Sequence, residues 1–95
     1  MSRPLSELEV RALQPLMRIS QELRDACVEI AREKSPSAAF NLATRASRLA
    51  GFGEWDAMGI AKGTRWLAVI RRDHGTEAFN QAVGTLAAIS KSLSA

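Results

Sequence analysis

Arg45, Arg48, Lys62, Arg65, Arg71 and Arg72 are the residues of this chain whose type and spacing could do chemistry. Between residues 37 and 72 these six cations meet only two carboxylates, Glu54 and Asp56, a net +4, whereas residues 1–34 carry six side chains of each sign. The whole chain is only +3, so the segregation says more than the total. Cations gathered in one stretch suit an anionic partner, phosphate or carboxylate. The densest stretch is Gly63–Gly75. On a helical wheel Trp66, Leu67, Val69 and Ile70 share one side of it, and Thr64, Arg65, Ala68, Arg71 and Arg72 share the other. This pattern predicts a short helix between two glycines, with Trp66 and Ile70 turned inward and Arg65 and Arg72 outward.

Other chemistry is thin. The single histidine, His74, precedes a glycine at a helix end, where an imidazole suits the helix dipole without any further role. The single cysteine, Cys27, sits beside an apolar stripe and reads as a small hydrophobe. One His and one Cys cannot make a metal cluster, so neither a metal nor a cofactor is expected. There is no Gly-x-Ser-x-Gly elbow, and Lys62-Gly63-Thr64 inverts the order of a phosphate-loop lysine and glycine. Catalysis is therefore not expected. A lone cysteine also excludes an intrachain disulfide framework and fits a reducing cytoplasm. The N-terminus has no apolar run of the secretory kind, and the longest uncharged run, Ala78–Ser90, is shorter than the roughly 20 residues that span a bilayer. No membrane partner is expected.

The run Ala57–Arg72 resembles the turn and second helix of a helix-turn-helix. Gly59 stands at the turn, Ile60 is the buried residue after it, and Lys62–Arg72 is the recognition helix, with Thr64 and Arg65 at the end that meets bases. Two positions depart from the pattern. Trp55 stands where the motif carries a small residue, and Arg65 stands where the recognition helix anchors the core, with Trp66 one residue late.

These residues need helices to hold them. Ninety-five residues, 46% of them apolar, suffice for one domain with a modest core. Residues 2–34 read as helix, opened by the capping-box pair Ser6 and Glu9 and striped by Leu16, Ile19, Leu23, Ala26 and Ile30. Pro15 divides the region into a short helix to about Leu13 and a longer one from Pro15 to about Glu33. Ser35-Pro36 starts the next helix, which runs to Ala50 with Phe40, Ala43, Ala46, Leu49 and Ala50 inward, and Gly51 ends it. A short helical turn over Glu54–Ile60 precedes the Gly63–Gly75 helix. The last helix, Glu77–Leu93, turns Phe79, Ala82, Val83, Leu86 and Leu93 inward. Gln81, Gly84, Thr85 and Ala88 form a second, small-residue face, so this helix, without charge over Ala78–Ser90, is expected to be nearly inaccessible in the native assembly.

The expected fold is all-α: one domain over residues 1–95, a compact bundle of four to five short helices whose first region is long and kinked at Pro15. The expected function is non-enzymatic binding by a cytoplasmic regulator that forms a homodimer. It contacts DNA through Arg45, Arg48, Lys62, Thr64, Arg65, Arg71 and Arg72, on one continuous positive patch. The alternative is an adaptor or inhibitor of the kind carried by mobile elements, in which the same cations meet an acidic surface on another protein.

Overall fold

The computed structural model describes residues 5–94 and is all-α. It contains α1 (Glu7–Met17), α2 (Gln21–Glu33), α3 (Pro36–Leu49) and α4 (Glu54–Ser94), with no strand among the described residues. The expected helical start at residue 2 lies outside the described residues.

Serines open the first three helices. Ser6 and Glu9 form the expected capping box, and the Ser20 and Ser35 hydroxyls accept the backbone N–H groups of Leu23 and Ala38. Each cap satisfies a donor that the first turn leaves open, a contribution of about 1 kcal/mol. The break in the first region falls at residues 18–20, not at Pro15. Proline removes one hydrogen-bond donor, and α1 carries it as its ninth residue; the Ser20 cap is what starts the next helix. The inward row of α2 is Leu23, Cys27 and Ala31 with Val28. Ala26, expected inward, is exposed, and Ile30 is only half-buried.

α3 ends in a Schellman motif. Gly51, at φ +96°, donates to the Arg48 carbonyl, and Phe52 donates to the Ser47 carbonyl. Its buried row is Ala39, Ala43 and Ser47, with Phe40 and Ala46 half-buried. Leu49 and Ala50, expected inward, are both exposed: the i, i+4 row that meets the core passes through Ser47, whose hydroxyl bonds back to the Ala43 carbonyl, and leaves Leu49 to one side.

The largest departure is in α4. The expected helix–turn–helix over residues 54–74 is a single uninterrupted helix, and the only non-helical residue in α4 is Gly75 (φ 93°, ψ 174°). A straight helix of 41 residues would be about 62 Å long, but the longest dimension of the molecule is 39 Å. Gly75 therefore folds residues 76–94, the second limb, back beside residues 54–74, the first limb. Its backbone lies in a region open essentially to glycine alone.

Gly59 and Gly63 have another use. A methyl group on Gly63 would lie 3.1 Å from Leu16 Cγ and 3.2 Å from the Ala12 carbonyl oxygen, and one on Gly59 would lie 3.4 Å from Pro15 Cγ. The glycines mark where α1 crosses α4 at close range, and neither makes a turn. α4 packs against each of the other three helices, and α2 packs against α3. Leu13, Leu16, Ile60, Leu67, Ile70, Phe79 and Leu86 are almost fully buried at the centre. Leu93, expected inward, is 58% exposed. Trp66 leans on the core half-buried, and its Nε1–H is enclosed without a hydrogen-bond partner among the described residues.

The two glycines should respond oppositely to alanine. Gly63→Ala should destabilise the fold by about 1–3 kcal/mol, because the backbone oxygen of Ala12 cannot step aside as a side chain can. Gly59→Ala meets only ordinary contact and should stabilise by up to about 1 kcal/mol through helix propensity. Urea denaturation distinguishes the two outcomes. Equal stabilisation by both would mean that α1 and α4 do not approach this closely.

Candidate interaction surface

The structure does not bring the seven residues singled out in the sequence onto one exposed surface. Thr64 is fully buried, and its Oγ1 donates to the Ile60 carbonyl at 2.9 Å, so it cannot reach bases or a partner. It also hydrogen-bonds the Cys27 thiol. Burial pushes the pKa of that thiol up and the bond to Thr64 offsets part of the rise, so Cys27 stays protonated and inert.

Arg71 is spent inside the molecule. Its Nε donates to the Ala31 carbonyl at 2.9 Å and its Nη2 to the Lys34 carbonyl at 2.6 Å. These belong to the last turn of α2 and the residue that ends it, where open carbonyls and the negative end of the helix dipole favour a guanidinium. Arg72 points outward as expected but forms a fork with the adjacent Asp73, at 2.9 and 3.4 Å. That hydrogen bonding holds the Asp73 carboxyl below its ordinary pKa.

Arg45, Arg48, Lys62 and Arg65 remain. All four are exposed, and none makes an ion pair with a described residue. Arg65 lies over the Phe40 ring, with Cζ 5.0 Å from its centre, a cation–π contact that ties the first limb of α4 to α3. Asn41, Arg45 and Arg48 follow i, i+4, i+7 spacing along the outer face of α3. Asn41 also lines an open cleft with Phe40, Arg65, Val69 and Arg72, so the outer face of α3 and the first limb of α4 open on the same side. Of the cations expected in one continuous patch, these four are the ones that make no ion pair with a described residue and no bond into α2.

The sequence reading missed what lies at the end of that face. Trp55 is 83% exposed and Leu49 is 89% exposed, on either side of the turn that joins α3 to α4. A methyl group on Gly51 or Gly53 would meet nothing within 4 Å, so the turn itself is open. On its far side a second cleft, between α1 and the turn, holds Arg11, Arg18 and Asp56 over Pro15, Phe52 and Ile60. Arg11 and Arg18 are seven residues apart and share one face of α1, a spacing legible in the sequence but indistinguishable there from an ordinary solvated face. Arginines of α1 thus share a cleft with Phe52 of the turn, while Arg45 and Arg48 lie on the last turns of α3 before it.

Among the described residues no group of three or more His, Cys, Asp or Glu could hold a metal ion, and no helix is long and apolar enough to cross a membrane.

Arg71→Ala should destabilise the fold by about 2 kcal/mol, because it strips two charge-assisted hydrogen bonds from the end of α2. Arg71→Lys should rescue only part of this, since a point charge cannot serve both carbonyls as a planar fork does. Arg72→Ala should leave the melting temperature unchanged. Thermal unfolding of the three variants checks the ordering. No known protein family, curated protein or solved structure matches this chain, so its function has to be read from its own surface.

Proposed function

We propose that this chain is a non-enzymatic binding protein, an adaptor or inhibitor, that docks on an acidic surface of another protein. The observation that carries the reading is the pairing of Trp55 and Leu49, both almost wholly exposed, with Arg45 and Arg48, which have no carboxylate partner among the described residues. A large tryptophan in water is unfavourable unless something covers it, and Trp and Arg are the residue types that dominate binding energy at protein interfaces. The nucleic-acid reading has lost its recognition helix: Gly59 makes no turn, Thr64 is buried and Arg71 is committed to α2. Glu54 and Asp56 on either side of Trp55 would also repel a phosphate backbone.

The same proposal includes a homodimer and a cytoplasmic setting. Gly84, Thr85 and Ala88 stay exposed in the uncharged run Ala78–Ser90 of the second limb of α4, and the single thiol is free and buried.

The test is affinity purification from expressing cells, with and without nuclease, beside direct binding to duplex DNA. The expected outcome is a protein partner retained after nuclease treatment and released by salt. Arg45→Glu with Arg48→Glu should lower its affinity by about tenfold or more without altering the fold, since both side chains are exposed. Tight duplex binding that falls steeply with salt would instead favour nucleic acid.

A further inference from the structure

We propose that the outward stripe of the first limb of α4 is the seat for one acidic amphipathic helix of a partner protein, anchored at Trp55. This rests on the reading of an acidic protein partner and adds its shape. Trp55, Met58, Lys62, Arg65 and Val69 recur at intervals of three and four, which places them in one row along the helix. Trp55, Lys62 and Arg65 in this row are exposed, and Met58 and Val69 are half-buried. The row therefore sets two adjacent cations, Lys62 and Arg65, between apolar footing at Trp55 and Met58 and at Val69, and is already partly desolvated.

α3 supplies the wall on one side. Phe40 and Asn41 share the open cleft with Arg65 and Val69, and Arg45 and Arg48 continue the outer face of α3 toward the turn. A guest lying in this trough meets apolar surface beneath it and guanidinium groups beside it. An amphipathic helix satisfies both conditions, with apolar side chains at i, i+3, i+4 and i+7 facing down and carboxylates on its flank. Its length follows from the row: fourteen residues separate Trp55 from Val69, about 21 Å at 1.5 Å per residue, so the guest helix needs about four turns.

Charge argues against the other guests. Glu54 and Asp56 flank Trp55. A phosphate backbone or an anionic membrane is negative everywhere and must bring like charge against them. A peptide helix can place a neutral or basic residue there and carboxylates elsewhere.

The test uses a fluorescently labelled synthetic helix of about fourteen residues, with leucines at i, i+3, i+4 and i+7 spacing and glutamates on its flanks. Its control has every leucine replaced by serine at unchanged charge. Fluorescence anisotropy at low salt reads the binding. We expect the leucine peptide to bind and the serine peptide to bind at least about tenfold more weakly, with Trp55→Ala causing a similar loss. Leu93→Ala, another exposed apolar residue off the stripe, should have no effect. Circular dichroism should show Trp55→Ala folded, as its exposure implies. Equal binding of both peptides, insensitive to Trp55→Ala but abolished by Arg45→Glu with Arg48→Glu, would overturn the helix seat and leave the acidic partner standing. Failure of the leucine peptide to bind also overturns the seat. If a short duplex or a phosphatidylserine vesicle binds in its place, the protein-partner reading falls with it.

Discussion

The close crossing of α1 over α4 at Gly63 is the constraint on which the rest of the molecule depends. A hydrogen in place of a methyl group lets Leu16 and the Ala12 backbone sit against the α4 backbone, and Pro15 rests on Gly59 one turn earlier. Few atoms separate the two helices there, so Leu13 and Leu16 reach the interior and meet Ile60 and Leu67. A chain this short has little core to spare, and each close approach counts for more than it would in a larger domain.

With α1 seated on the first limb, the other helices have few places left. Gly75 reverses α4, and the second limb brings Phe79, Ala82 and Leu86 into the same core. Arg71 then ties the first limb to the end of α2, while Arg32 lies over Phe79 and bonds Asn80 to tie α2 to the second limb. With Arg65 over Phe40, three of the chain's arginines thus link helices, and a surface reading of charge overcounts what is free to bind.

The same packing decides what is left outside. Residues 54–74 form one uninterrupted helix, packed by its neighbours on its inner faces, and its remaining side faces water. Trp55 falls on that side, as do Lys62 and Arg65. Leu49 is left out by the register of α3, whose inward row ends at Ser47. The tip is apolar because of where two helices end, Leu49 closing α3 and Trp55 standing in the first turn of α4.

Much of this fold follows from local sequence. The serine caps at Ser6 and Ser35, the glycine stop at Gly51 and the outward Arg65 and Arg72 were all legible, because caps and amphipathic spacing act over one or two turns. What the sequence could not decide is the use of Gly59 and Gly63, which read there as a turn and a helix boundary. Gly51, Gly59, Gly63 and Gly75 look alike in a row of letters, yet two end helices and two admit a neighbouring helix. Nor could it decide which arginines are free. Whether Arg71 reaches solvent or the carbonyls of Ala31 and Lys34 depends on a helix 40 residues away in the chain. Composition and periodicity by themselves determined a helical, basic-centred chain. Only the tertiary structure decided that the expected turn is continuous helix and that Trp55 stays exposed, because both depend on contacts between segments distant in sequence.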